Sequence, residues 1–597
     1  MAEDYTIENI YQGGYSSLSP SYGDVFTGYH ASAGSLGLSG DPRTADILSD
    51  VSKKIASGIK TFELSLVNPE VMETIPKQHL DEVNRLSKLT GVDITVHGPL
   101  IDASGIGERG FDDSEREIAE RKIAYTLEKS HQINPNGNVP VTFHTSNQLP
   151  AVKYSKKDGK EIKEVMPIVN QESGEVNIVK RDERYSPESG GEKQVLSIND
   201  TLQMMNNTSW RDSLTQVEFQ REYADKILQD VHPIEIGKYL KWRSEGPNQK
   251  KLSPEDIQSM KKIISANEHI HEGQKTADSL FNKAYKYGNN EEKKKLVELS
   301  KNYKKNLGIK SNGEVDIDYL NPQVQSQALF ELKQGLSTIR PQVFKDAGEF
   351  ATEKSQETFG NAAWQAYKKF GTKAPILNIE NPPAGVGLSR AKDVKSMIQG
   401  SRKQFVDNAT KNGMSKSRAE KEAEKLIGAT WDVGHINELR QFGFSGKDIL
   451  KEAEEIAPFV KHMHLADNFG MHTTVEMPMG MGNVDLKGVM KKLGKKGKEA
   501  KKIIEAGNWW QHHSNQGALS PVGPTLEALG SPIYGMNMAP YWNQVSGYQE
   551  GYFGGHGQTF PQINYETFGA GFSNLPTELG GQRPGAAGGR MSGTPME

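Results

Sequence analysis

The chain has 597 residues, a formal net charge of −4 and no cysteine. It is long enough for one large domain with additions or for about two to four smaller ones, because single cores rarely grow past roughly 250–300 residues. The absence of cysteine excludes disulfides, cysteine-ligated zinc and thiol catalysis, and leaves histidine and carboxylates as the strong metal ligands. The near balance of charge gives no chain-wide basic field of the kind that a sequence-independent nucleic-acid binder would use.

Apolar residues are spread along the chain. They make up 35% of it, and nowhere do they form the uninterrupted run of roughly 18 residues that spanning a bilayer needs. The first residues, Met-Ala-Glu-Asp-Tyr, are acidic and are not followed by the apolar segment of a secretory signal. We therefore expect a cytoplasmic protein with no membrane partner.

The first part of the chain alternates between strand and helix patterns. Residues 1–22 are rich in Tyr, Ser and Gly and predict a loose N-terminal arm. Residues 25–34 predict the first strand and a tight loop. Further strands are predicted at 61–66, at Asp93–His97 and up to His144, each preceded by a helical pattern. This alternation predicts βαβ units and a parallel sheet.

The alternation is then lost for more than two hundred residues. Residues 149–373 open with hairpin patterns around 157–160 and 172–175, and then become mainly helical and highly charged. Strand–helix alternation resumes after this segment. The four strands predicted there end at Glu380, Asp432, His464 and Glu505.

Eight strands in this order predict an α/β fold, a (β/α)8 TIM barrel made from residues 23–148 (strands one to four) and 374–515 (strands five to eight). Because an insertion after a strand emerges on the C-terminal face of the barrel, we expect 149–373 to form an inserted hairpin and helical cap domain over that face. A peripheral helical domain is the alternative. Residues 516–597 are rich in Gly, Pro and aromatic residues, so we expect a disordered tail.

Six of the predicted strands end in residue types that bind metal ions. One such strand would mean little, because a lone buried His or Glu is more often a satisfied core residue. The C-terminal ends of all barrel strands, however, meet at one rim, where barrels of this kind keep their chemistry. The sequence therefore predicts a metal site built from the side chains at these strand ends: His97, His144, Glu380, Asp432, His464 and Glu505. His435, three residues after the end of strand six, joins them.

Short motifs surround these strand ends, and they follow one another in a fixed order. They are His30-Ala-Ser-Ala-Gly, Val96-His-Gly-Pro-Leu-Ile-Asp-Ala-Ser104, Phe143-His144, Glu380-Asn followed by Gly385-Val-Gly387, Asp432-Val-Gly-His435, His464-Leu-Ala-Asp467 and Ile504-Glu505. Together they resemble the endonuclease IV family (AP endonuclease family 2), within the xylose-isomerase-like set of TIM barrels. The resemblance covers roughly residues 24–147 and 374–510.

The resemblance implies a cluster of two to three zinc ions. His97 and His144 would hold one ion, and Glu380 would bridge it to a second one. The second ion would also be held by Asp432, His464 and Glu505, and a third ion by His435.

The loop after strand seven departs from the family pattern, which offers an Asp and a His before a Gly-x-Gly. Here Glu476 and His472 are the candidates for completing the third site. The resemblance also implies catalytic roles for Glu380 and Glu505. It further implies contacts with substrate for His30, Asn381 and Asp467.

Three functions are compatible with this pattern. The first is a zinc-dependent phosphodiesterase that cleaves DNA at abasic sites, with the ions stabilising the attacking and leaving oxygens. The second is a sugar or sugar-phosphate isomerase or epimerase, in which one Mn2+ or Mg2+ ion polarises the substrate and Glu380 and Glu505 shuttle a proton. The third is a scaffold without catalysis, in which the tail binds other proteins.

Overall fold

The computed structural model describes residues 35–507 except 43, 45, 56–58, 158, 186, 188–189, 246–252, 311–313 and 472–475, together with 521, 522 and 525. The predicted N-terminal arm, nearly all of the predicted tail, His30 and His472 lie outside the described residues.

The described residues form strands of two to eleven residues. In chain order they are β1 (Leu36–Ser39), β2 (Thr61–Ser65), β3 (Asp93–His97), β4 (Ile106–Gly107), β5 (Gly110–Phe111), β6 (Pro140–His144), β7 (Lys153–Lys157), β8 (Lys160–Asn170), β9 (Val176–Lys180), β10 (Asp182–Tyr185), β11 (Lys193–Leu196), β12 (Phe344–Asp346), β13 (Ile376–Glu380), β14 (Ile427–Asp432), β15 (Val460–Leu465) and β16 (Lys501–Ile504).

Helices connect most of these strands. They are α1 (Ile47–Ile55), α2 (Pro69–Thr74), α3 (Lys77–Thr90), α4 (Asp113–Ile133), α5 (Ile198–Gln229), α6 (Pro233–Glu245), α7 (Pro254–Tyr287), α8 (Asn290–Asn306), α9 (Pro322–Leu336), α10 (Ala347–Phe370), α11 (Ala391–Lys411), α12 (Lys416–Leu426), α13 (Val433–Asn437), α14 (Gly446–Ile456) and α15 (Leu486–Glu499). Short 3-10 turns lie at Ile317–Leu320, Gly371–Lys373, Glu438–Phe442 and Ala457–Phe459.

Eight parallel strands close into a barrel in the order β1-β2-β3-β6-β13-β14-β15-β16. The predicted (β/α)8 architecture is therefore confirmed at this level. Successive side chains of a strand point to opposite faces, so each barrel strand has two faces. Val141, Phe143, Leu377 and Ile379 are buried apolar residues on one face. The alternate positions carry the polar and ligand-type side chains that fill the barrel: Thr95, His97, Thr142, His144, Asn378, Glu380, Thr430, Asp432, His462 and His464.

Residues 25–34, where the first barrel strand was predicted, lie outside the described residues. In the described barrel, the position between β2 and β16 is taken by β1, with Leu36 and Leu38 fully buried. Gly37 lies in this strand, where an added Cβ would lie 2.6 Å from both Ile503 Cδ1 and the Thr61 carbonyl oxygen. A glycine that close strand packing requires looks like a turn in the sequence, so the sequence pattern did not predict a strand at 36–39.

Local signals mark the ends of several helices. Asp112 accepts a hydrogen bond from Ser114 N at the start of α4. Gly91 ends α3 in the left-handed conformation, at φ 66°. Ser253 begins α7 through a capping box with Asp256. The predicted hairpins are β7–β8 and β8–β9.

The chain divides into two compact units. One contains the barrel, and the other is Ile168–Asp346, which lies in the chain between β6 and β13. The core of this second unit is helical, and the Trp210 indole donates to the Leu336 carbonyl within it at 3.1 Å. In the described part of the chain, no helix is both long and apolar enough to cross a lipid bilayer.

Candidate metal centre

The carboxyl ends of the barrel strands bring the predicted ligands together. In the register of the parallel pairs, Glu380 lies opposite His144 and Asp432 lies opposite His464. Groups of ligand atoms lie within 4.8 Å of one another, close enough to share a cation. These groups are His97–His144–Glu380, Glu380–Asp432–His464–Glu505, His97–His464–Glu505 and Glu63–His462–His464.

Glu380 is the centre of this arrangement, and its side chain is fully buried. Its Oε2 lies 3.4 Å from Nε2 of both His97 and His144. Its Oε1 accepts a hydrogen bond from Nδ1 of His464 at 2.7 Å. The two oxygens of one carboxylate thus face two different ligand groups, which is the geometry of a bridging ligand.

Several buried ligand atoms have no hydrogen-bond partner among the described residues. An uncompensated buried polar atom is costly, so each such atom requires an explanation. Cations bound by the ligand groups to which these atoms belong would satisfy them, and imidazole and carboxylate donors without sulfur suit zinc, manganese or iron(II). The atoms are Glu380 Oε2, Asp432 Oδ2, Glu505 Oε2, His462 Nε2 and His464 Nε2.

Two histidines are oriented in the way that is typical of metal ligands. Nδ1 of His97 donates to the Gly98 carbonyl at 3.0 Å, and Nδ1 of His435 donates to the Asn381 carbonyl at 2.9 Å. A carbonyl oxygen only accepts, so the proton of each neutral ring lies on Nδ1. Nε2 is then left with a free lone pair for a cation, as in many zinc sites.

At the barrel rim, protons on the histidines compensate the negative charge of the buried carboxylates. Burial by itself would raise the pKa of Glu380, but His464, His144 and His97 hold that pKa well below its usual value. Burial by itself would lower the pKa of His97, but Glu380 and Glu63 raise it to about 9. Burial also opposes a charge on His464, yet Glu380, Glu63 and Glu505 raise its pKa well above the usual value. A divalent cation would replace protons held by these rings.

Asp432 and Glu505, the other two acidic members, are shifted in opposite directions. Burial raises the pKa of Asp432 to about 6. Burial also opposes ionisation of Glu505, but its attraction to His464, 3.1 Å away, lowers its pKa to about 2. Glu505 therefore stays a carboxylate at neutral pH.

The residues expected to form a third site are less tightly gathered. Among the described residues, none of the close ligand groups includes His435 or Glu476. His435 Nδ1 lies 3.9 Å from Asp432 Oδ2. Burial, followed by the nearby Glu505 carboxylate, raises the pKa of Glu476 to about 7. Glu476 also accepts from Gly507 N at 3.3 Å.

Asn381 and Asp467, which the resemblance places at the substrate, both have structural partners here. The Asn381 amide is bonded to the backbone of Asp432. The Asp467 carboxylate accepts from the backbone N–H groups of Asn468, Gly480 and Val484 at 2.8 to 3.0 Å, and so orders the loop after β15. Contact of Asn381 and Asp467 with a substrate stays a prediction.

Two residues of the polar interior were missed as ligands by the sequence reasoning. Glu63 lies in the middle of β2, and its Oε2 is 3.0 Å from His464 Nε2. His462 lies two residues before His464, and its Nε2 is 3.5 Å from Glu63 Oε1. The available signals were a carboxylate inside an apolar strand and a second histidine at the spacing of one strand face.

Comparison of the chain with models of known protein families and with curated proteins gives no match.

Proposed function

We propose that the protein is a metal-dependent phosphodiesterase that cleaves DNA at abasic sites, with zinc as its metal. The observation that carries the proposal is the position of Glu380 between two ligand groups, one with His97 and His144 and one with Asp432, His464 and Glu505. Two cations held a few ångströms apart by a shared carboxylate suit phosphodiester hydrolysis. The strand-end motifs that resemble endonuclease IV support the same assignment.

Divalent cations bound there would stabilise charge on the phosphodiester oxygens and bring the pKa of a water molecule near neutrality. His97 and His144 would hold one cation through Nε2. Glu380 would offer one oxygen to each side, and Asp432 and Glu505 would hold the second cation, with His464 as the resemblance implies. His435 would hold a third cation through Nε2, because its Nδ1 is bonded to the Asn381 carbonyl.

Glu476 is a candidate for transferring protons at the rim. Glu476 is half-buried and its pKa is raised to about 7. A carboxyl group that titrates near the working pH is suited to accept and return a proton. In this proposal Glu476 either holds the third cation or moves a proton at the rim, and Glu380 and Glu505 stay ionised as ligands.

The test is cleavage of a DNA duplex that carries one abasic-site analogue, followed by gel electrophoresis. We expect the zinc-loaded protein to cut on the 5′ side of the analogue, and a chelator to abolish the cut. Glu380→Gln should lose the cleavage by several orders of magnitude, because the amide cannot bridge two cations as an anion. Glu454→Gln, a substitution of an exposed glutamate on α14, should cut like the natural chain. An uncut duplex at high concentrations of zinc-loaded protein would contradict the proposal.

One observation favours a second candidate function. One ligand group among the described residues has four members and would by itself suit one ion in a sugar or sugar-phosphate isomerase. Its members are Glu380, Asp432, His464 and Glu505. Glu380 and Glu505 would then shuttle a proton between neighbouring carbons of the substrate. One manganese or magnesium ion per chain, with interconversion of an aldose and a ketose and an intact duplex, would establish this function instead.

A further inference from the structure

A second cluster of ligand-type side chains lies one layer deeper in the barrel than the strand ends. Glu63 lies two residues before Ser65 on β2, and His462 lies two residues before His464 on β15. The side chains of Glu63, His462 and His464 are at most 1% exposed. This layer is thus sealed from solvent, and its charges have to be compensated inside the protein.

The contacts within this layer are close. His464 Nε2 lies 3.0 Å from Glu63 Oε2, and His462 Nε2 lies 3.5 Å from Glu63 Oε1. Neither ring nitrogen makes a well-directed hydrogen bond among the described residues. Two ring nitrogens therefore face one carboxylate without sharing a well-directed proton with it.

The other nitrogen of each ring has its own neighbour. Nδ1 of His464 donates to Glu380 Oε1 at 2.7 Å, since a carboxylate oxygen only accepts. Nδ1 of His462 lies 3.4 Å from the Thr430 hydroxyl. In the neutral His464 ring, Nε2 then carries a lone pair that points towards an anion. Such a contact is repulsive in a water-free interior unless a proton or a metal ion lies between the two atoms.

We propose that Glu63, His462 and His464 bind a divalent transition-metal ion inside the barrel, beneath the candidate metal centre. Ligands about 2.1 Å from one ion, at angles between tetrahedral and right-angled, are about 3.0 to 3.4 Å apart. The observed separations of 3.0 and 3.5 Å match this spacing. Two imidazoles and one carboxylate suit zinc, manganese or iron(II).

The neighbours of this site fit the role. Glu380 fixes the His464 ring through Nδ1, in the way that carboxylates orient metal-bound histidines. His464 would then bind the inner ion through Nε2 instead of the second rim ion. The second rim ion would keep Glu380, Asp432 and Glu505 as ligands, and the first would keep His97 and His144. Thr95 Oγ1 lies 3.5 Å from Glu63 Oε1 and offers the carboxylate a neutral contact only. The inner ion would thus neutralise a buried carboxylate, whatever reaction the rim carries out.

The test is a metal count. The purified chain is stripped with a chelator, reloaded with zinc chloride or manganese chloride, desalted and measured by mass spectrometry. His462→Gln and Glu63→Gln should each hold one ion per chain fewer than the natural chain. Thr95→Val is the matched control, because it changes a buried neighbour of Glu63 that supplies no ligand, and it should hold the full number.

Equal counts in the natural chain and in both ligand variants would overturn the proposal, because the layer would then be compensated by a proton on His464. If the variants do not fold, crystals of the natural chain loaded with zinc decide the question. An anomalous peak about 2.1 Å from Glu63 and His462 supports the proposal, and the absence of a peak there overturns it. Neither readout depends on DNA cleavage, so failure of the proposed function would not be mistaken for failure of this inference.

Discussion

The side-chain amide of Asn381 is bonded to both backbone groups of Asp432. Asn381 Oδ1 accepts from Asp432 N at 2.9 Å, and Nδ2 donates to the Asp432 carbonyl oxygen at 3.0 Å. Both residues are fully buried. The amide thus holds the end of β14 against the end of β13, and with it the distance between two carboxylate ligands.

Replacement of Asn381 by alanine would leave a buried N–H and a buried carbonyl of Asp432 without these partners. We expect Asn381→Ala to lower the free energy of unfolding by about 2–3 kcal/mol, the cost of unsatisfied buried backbone groups. Urea denaturation followed by circular dichroism measures the change. Asn412→Ala, at an exposed amide directly after the end of α11, should cost less than about 0.5 kcal/mol. Equal losses in the two variants would speak against the role of the Asn381 amide.

The position of the first barrel strand is tested at Gly37. An added methyl group would lie 2.6 Å from Ile503 Cδ1 and from the Thr61 carbonyl, so β1 or its neighbours would have to move. We expect Gly37→Ala to destabilise the protein by about 1–3 kcal/mol. Gly107→Ala is the control, because no atom lies within 4 Å of its added Cβ. A thermal denaturation midpoint unchanged in Gly37→Ala would show that residues 36–39 do not close the barrel.

A buried ion pair joins α11 to α14. Nε of Arg390 donates to Glu452 Oε1 at 2.9 Å, and the Glu452 carboxylate also accepts from Ala391 N at 2.8 Å. Arg390→Met would leave that buried carboxylate without its cation, so we expect the free energy of unfolding to fall by about 3–5 kcal/mol. Lys395→Met breaks the exposed pair with Glu455 between the same helices and should cost about 0–1 kcal/mol. Chemical denaturation of both variants measures their free energies of unfolding for this comparison.

The pH dependence of metal binding follows from the protonation of His97. The pKa of His97 in the metal-free chain is raised to about 9, so its Nε2 carries a proton at neutral pH that a cation must displace. We therefore expect zinc affinity to rise with pH between about pH 6 and 8, by about tenfold per pH unit for each proton released.

Competition with a chelator of known pH dependence measures this slope. His97→Gln removes one of the displaced protons, so its slope should be about tenfold per pH unit shallower than that of the natural chain. An affinity that is constant with pH would show that the histidines bind no proton in the metal-free protein.

The local order of the chain could be predicted because it depends on short-range patterns. Strands β3 and β13 lie where their apolar runs end in His97 and Glu380. Alternation of strand and helix indicated the parallel barrel, because parallel strands need such crossovers. The convergence of six strand ends on one rim follows from that topology.

Other features depend on neighbours that are distant in sequence. Gly37 belongs to a strand only because Thr61 and Ile503 pack against it. Glu63 was overlooked because a single carboxylate in a strand does not show that His462 and His464 lie opposite it.

The sequence by itself thus determined where most of the barrel strands lie and which types of ligand they carry to the rim, since these properties are local and periodic. Only the tertiary structure decided which strand closes the barrel and which ligand atoms face each other. Those relations depend on strand register and on side-chain direction across hundreds of residues, and no short pattern in the chain encodes them.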